Sequence, residues 1–219
     1  MTKEGHDDNG DNSIDHQTEN DISSTSSQSI ITKVLNELAV VKHGEHNILT
    51  FQEMEIMKQI RTRYCWDLLI RRNIAILLIP YVESVDEVIG DFRTIGRLVP
   101  DRYIADGSLV IEGDAHLLIS HADGSSFHNY IEDHQTQARQ KGKEGLGIIL
   151  DINGLLLMGD VEKLLKFESE ICPRNHPELQ YTSLLCCYNG FLFDKIERKH
   201  RETIFNNHHR KLCGLTTSD

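Results

Sequence analysis

Three stretches, IAILLIP (74–80), GIILDI (147–152) and TSLLCCY (182–188), are apolar at nearly every position. A strand with one wet face alternates apolar and polar residues, so unbroken runs of this length suit strands covered on both faces. Between them lie segments whose apolar residues recur every three or four positions: Met57, Ile60, Tyr64 and Leu68; then Val85, Val88, Phe92 and Ile95. Phe127, Tyr130, Ile131, His134 and Ala138 form another such stripe, and Val161, Leu164, Leu165 and Ile171 a fourth. Strands alternating with helices predict an α/β domain with a mostly parallel sheet and helices on both faces. NILTF (47–51) and SLVIEG (108–113) read as shorter strands, and AHLLIS (115–120) as a further candidate. Ser84 with Glu87 is a capping-box pair that starts one helix, and Asp194-Lys195-Ile196-Glu197 is expected to cap a final one.

The amino-terminal end differs in composition. Residues 1–28 hold seven acids against one base, Lys3, a net −6 of the chain's −11. With almost nothing apolar to bury, they are expected to be a disordered acidic tail. Ile31, Val34, Leu35, Leu38 and Val41 predict a helix over 29–42, leaving 43–219 as the main domain. Neither part carries the basic stripe that phosphate-backbone binding requires, so direct nucleic-acid binding is not expected. Five cysteines without framework spacing, and no amino-terminal apolar segment, predict reduced thiols in a cytoplasmic protein. The apolar run at 74–82 is far short of the roughly 20 residues of a membrane helix, so no membrane association is expected.

In sheets of this kind ligands collect outside the carboxyl ends of the strands. That rule nominates Phe51 and Gln52, the Pro80–Glu83 segment, Asp151 and the turn after it, and Tyr188 and Asn189. Asp151 ends a buried strand, as do the acids that hold magnesium in many nucleotide-hydrolysing proteins, or it braces the Asn153-Gly154 turn. Phosphate binding also needs a glycine-rich loop with a Lys and a Ser or Thr. The connection after the first strand, LTFQEMEIMKQI (49–60), has no glycine and carries Glu53 and Glu55. Nucleotide hydrolysis is therefore not expected, and no nucleophile–base pair in an elbow motif offers another chemistry. Twelve histidines raise a metal hypothesis, with His43, His46, His200, His208 and His209 as members, but no H-E-x-x-H or C-x-x-C spacing supports one. No metal and no cofactor are expected. Cys186 and Cys187 point to opposite faces of a strand and cannot hold one ion together. Cys186 gains interest only beside His46 or His208.

Several of these segments together resemble the MEDS family, the methanogen/methylotroph DcmR-like sensory domain. The likeness rests on His46-Asn-Ile-Leu-Thr-Phe51, the AILLIPYVESVDEV join, LLKFESEI (164–171), LLCCYNGFLF (184–193) and Asn207-His208-His209. Cys186, Tyr188, Phe193 and His208 match family positions, whereas Asn189 stands for the usual Asp and His209 for a common Pro. The resemblance spans about residues 43–212. It implies a RecA/KaiC-like three-layer core lacking a phosphate loop, and a non-enzymatic sensory role in signal transduction or transcriptional control. The ligand implied is a small organic molecule such as a hydrocarbon derivative, contacted by Phe51, Gln52, Tyr188, Asn189 and Asp151. The signal would pass to a separate signalling protein or transcription regulator. The alternative is an adaptor that assembles with itself or a relative through its helices and takes no small molecule; a histidine-based metalloenzyme is a third class.

Overall fold

The computed structural model describes residues 15–97, 99–114, 117–120 and 125–214. Its centre is a six-stranded, wholly parallel sheet in the order β3-β2-β4-β5-β1-β6. The strands are β1 (His46–Phe51), β2 (Ala75–Ile79), β3 (Leu109–Ile111), β4 (Leu146–Asp151), β5 (Thr182–Asn189) and β6 (Arg210–Gly214). The three unbroken apolar runs are β2, β4 and β5, and they lie side by side in the interior of the sheet, as their pattern requires.

The helices are α1 (Asp15–Leu38), α2 (Met54–Trp66), α3 (Val85–Thr94), α4 (Pro100–Ala105), α5 (Leu117–Ser120) and α6 (Ser125–Gln140), followed by α7 (Asn153–Leu157), α8 (Val161–Ile171), α9 (Gly190–Phe193) and α10 (Arg198–Asn207). They cover two separate cores. Leu49, Phe51, Leu78, Ile149, Leu185 and Cys187 face one, beneath α1, α2 and α3. Ile48, Leu77, Ile148, Leu184, Cys186 and Tyr188 face the other, beneath α6, α8 and α10. The period-2 alternation of strand side chains divides each apolar run between them.

Ser84 accepts the Glu87 N–H at 3.3 Å and the Glu87 carboxylate accepts the Ser84 N–H at 2.8 Å, completing the expected capping box of α3. Three expectations change, and one strand is added to them. The helix expected over 29–42 is part of a longer one, Asp15–Leu38, that stops before Val41; residues 1–14 lie outside the described residues. Residues 117–120 are helical, with Leu118 packed into the second core, and 115–116 lie outside the described residues. The final helix starts after Glu197, which makes no side-chain cap; Asp194 instead ends α9 and accepts from Arg201 at 2.6 Å. β6, RKLCG, is an edge strand whose Lys211 and exposed Cys213 alternate with buried Leu212. Charge is common on sheet edges, where it discourages further pairing, and it hides a strand from a search for apolar runs. Among the described residues no helix is long and apolar enough to cross a membrane.

Ile149 is 1% exposed at the middle of β4. Ile149→Ala is expected to cost about 2–5 kcal/mol, read as a lower urea midpoint at unchanged slope.

Candidate functional site

The carboxyl ends of the central strands are closed by internal bonds. The Asp151 carboxylate accepts the Asn153 N–H at 3.0 Å and its side-chain amide at 2.6 Å, while Asn153 Oδ1 accepts the Asn189 N–H at 2.8 Å. Asn189 Oδ1 in turn accepts from the N–H groups of Phe191 and Leu192, capping α9. Burial raises the Asp151 carboxyl above its ordinary range. Of its two readings, the turn brace is the geometry seen. Phe51 and Tyr188 are both fully buried, on opposite faces of the sheet, with Phe51 in the first core and Tyr188 in the second. They cannot meet one ligand together, which corrects the joint contact expected of them. Gln52 is partly exposed.

Beside the glycine-free connection from β1 to α2, where a phosphate loop would lie, cations are already occupied. Arg61 of α2 is 3% exposed, pairs with Glu83 through both terminal nitrogens, and donates to Asp91 at 2.7 Å. Lys58 reaches Glu83 at 3.2 Å. Burial pushes the Glu83 carboxyl up, but the Arg61 guanidinium outweighs it and holds it below its ordinary range. Burial prevails at Asp91, which stands above it.

A second polar group lies deep on the other face. His46 opens β1, Cys186 is central in β5, Glu168 projects from α8, and His208 caps the end of α10, two residues before β6. His46, Cys186 and Glu168 are 0% exposed and His208 is 5%. One donor atom from each of the four lies within 4.8 Å of those of the others. His46 Nε2 is 3.2 Å from Cys186 Sγ, and the His46 and His208 rings are 4.1 Å apart. Tyr188 donates its hydroxyl to Glu168 Oε1, and Phe193 packs edge-on against the Tyr188 ring at 5.1 Å. His208 Nδ1 donates to the Ile204 carbonyl at 2.6 Å, which leaves Nε2 as the lone-pair nitrogen, 3.5 Å from Glu168 Oε1. Backbone bonds fix the group from outside: the His209 N–H meets the His46 carbonyl at 2.6 Å.

Burial raises Glu168 to about 8 against the hydrogen bond from Tyr188, lowers His208 to about 4 and lowers His46 well below its usual value. It raises the thiol of Cys186 and the phenol of Tyr188. Three atoms of the cluster, His46 Nδ1, Glu168 Oε2 and His208 Nε2, are buried without a hydrogen-bond partner. A buried polar atom in that state costs about 1–3 kcal/mol.

The condition that gave Cys186 its interest is therefore met twice, by His46 and by His208. The spacing rules missed the cluster because its members come from four elements and no two are a local pair. Glu168 was not singled out at all. Its signal was present: it falls four residues after Leu164 and three before Ile171, on the apolar stripe of α8, where a carboxylate is out of place. A smaller group, His128, His176 and Glu178, is more exposed, with Glu178 Oε1 3.0 Å from His128 Nε2 and 3.1 Å from His176 Nδ1.

No family model and no curated protein matches the chain. Solved structures do. A KaiC-like protein from the hyperthermophilic archaeon Pyrococcus horikoshii aligns over 74% of this chain and 68% of its own, with 14% identity and a TM-score of 0.50. The flagellar accessory protein FlaH from Methanocaldococcus jannaschii aligns over 79% and 72%, with 12% identity and a TM-score of 0.54. An uncharacterized Pyrococcus horikoshii protein in complex with an unknown peptide aligns over 77% and 76%, with 13% identity and a TM-score of 0.53. At these identities the likeness establishes fold. The chain is a KaiC/RecA-like three-layer α/β protein, as expected.

Glu83→Gln removes the Glu83 carboxylate from Arg61 and leaves the guanidinium with Asp91 alone. The change is expected to lower stability by about 1–3 kcal/mol at neutral pH. Because Glu83 is held below the ordinary carboxylate range, its contribution is complete above that range and is lost as acid protonates it. The difference between wild type and variant in urea denaturation should accordingly shrink toward low pH.

Proposed function

We propose that this chain is a non-enzymatic small-ligand sensory domain that acts through a separate protein. The observation that carries the reading is a groove of about 300 Å³ lined by Leu156, Leu157, Val161, Leu192, Lys195 and Ile196. It opens between α7, which follows β4, and α9, which follows β5, at the strand ends where this architecture gathers ligands. Its size and apolar walls suit a small organic molecule, and Lys195 supplies a single charged group for a polar substituent. The contacts expected of Tyr188 pass to Leu192, on the helix that Asn189 caps. Glu53 and Glu55 at the glycine-free connection, with Arg61 and Lys58 already paired, weigh against a nucleotide as the ligand.

α9 leads directly into α10 and β6, so occupancy of the groove is positioned to bias how that segment packs. Differential affinity for two arrangements is what a sensory response requires. Leu157, Met158 and Phe191, which are 58%, 41% and 62% exposed, flank the same region. That patch favours the second reading, an adaptor whose partner covers it and which needs no small molecule.

Thermal unfolding of the full chain with ATP-Mg and with a panel of one-carbon and short hydrocarbon derivatives separates these readings. A bound compound raises the midpoint by mass action, by about 2.7 kcal/mol of added stability at 100 times its dissociation constant. The expected result is a rise with a small apolar compound that Leu192→Asp removes, and no rise with ATP-Mg. A rise with ATP-Mg would overturn the sensory reading. Silence across the panel, with self-association abolished by Phe191→Asp, would establish the adaptor in its place.

A further inference from the structure

The groove leaves unexplained the buried polar group deeper in the second core. His46, Glu168, Cys186 and His208 bring two imidazoles, one carboxyl and one thiol together inside the second core. Three of their polar atoms have no partner, and two belong to residues with no exposure at all. We propose that this cluster is a closed binding site for a zinc-type divalent cation. The assignment does not depend on the sensory reading.

The distances fit. Tetrahedral zinc holds nitrogen and oxygen at about 2.0–2.2 Å and sulfur at about 2.3 Å, which places neighbouring donors about 3.3–3.6 Å apart. His208 Nε2 and Glu168 Oε1, 3.5 Å apart, fall in that range, His46 Nε2 and Cys186 Sγ, 3.2 Å apart, fall just short of it, and all four donors lie within 4.8 Å of one another. Charge fits as well. Thiolate and carboxylate together carry −2, which neutralises one divalent ion and leaves no net charge inside an apolar layer. Donor type narrows the ion: calcium and magnesium take oxygen ligands in larger number, whereas imidazole with thiolate selects zinc among the abundant divalent metals.

Outer contacts hold two of the four donors. The bond from His208 Nδ1 to the Ile204 carbonyl aims Nε2 inward, and the Tyr188 hydroxyl orients the Glu168 carboxylate. Ligating histidines and carboxylates are commonly held in this way. All four donors come from the protein and none is open to solvent, which is the arrangement of a structural rather than a catalytic ion. Its loading would tie β1, β5, α8 and the α10–β6 junction to one point, replacing the thiol and carboxyl protons, which pass to solvent.

The test is to strip the full chain with a chelator and titrate it with Zn²⁺ alone and Co²⁺ alone. One equivalent should bind, the unfolding midpoint should rise, and Co²⁺ should give tetrahedral visible bands with a sulfur-to-cobalt charge-transfer band. Cys186→Ser should abolish that band, and Cys213→Ser, at the exposed cysteine, should keep it. Tyr188→Phe, which preserves the ring and removes one hydroxyl, should fold and lower metal affinity about 10- to 100-fold. Absence of binding by wild type, or a charge-transfer band that survives Cys186→Ser, would overturn the proposal. So would a cobalt spectrum lacking the thiolate band and lost in His176→Ala, which would place the ion at the His128–His176–Glu178 group. Failure of every compound in the groove assay leaves these spectra unchanged, so the two readings fail separately.

Discussion

The alternation of β5 governs the interior of this protein. A strand hydrogen-bonded on both edges and covered on both faces must send successive side chains into different cores. Leu185 and Cys187 therefore enter the layer beneath α2 and α3, while Leu184, Cys186 and Tyr188 enter the layer beneath α8 and α10. The consequence is chemical as well as steric. Two adjacent cysteines have different fates: Cys187 serves as a small apolar residue, and Cys186 meets two histidines and a carboxyl. Because β1 lies parallel to β5 with His46 opposite Leu184, the first residue of β1 shares the face of Cys186.

Polar chemistry is thus found at two depths, and each has a different electrostatic solution. The charges of Arg61 and Lys58 are matched by Glu83 and Asp91, so burial is offset within the network. Around Cys186 the groups remain neutral by displaced protonation equilibria, and three atoms stay unpartnered. The first arrangement leaves the cations beside the β1–α2 connection already paired. The second concentrates donors within the layer beneath α8 and α10.

Much of the fold was legible because it rests on burial. Unbroken apolar runs located β2, β4 and β5, and a Ser-x-x-Glu pair located α3. Elements stabilised mainly by context were harder to read. β6 carries Arg210 and Lys211 on a sheet edge, residues 117–120 form a short helix that seats Leu118, and the polar first half of α1 continues a helix anchored by Ile31, Val34 and Leu38. The cluster was legible residue by residue but not as a site. His46, Cys186 and His208 drew notice singly, yet their meeting depends on β1, β5 and β6 being neighbours, which no local pattern encodes. Glu168 was hidden inside a helix whose periodicity suggested only packing.

The register of β1 has a further consequence for how the chain acquires its structure. β1 pairs with β5 on one side and β6 on the other, so His46–Phe51 finds both partners only within residues 182–214. β2 and β4 can associate as soon as residue 151 is available, whereas β1 must wait for segments far downstream. Contacts between distant segments pay the entropy of loop closure before they return any stabilisation, and they slow folding. During synthesis on the ribosome β1 would remain an unpaired apolar strand until almost all of the chain described here had emerged.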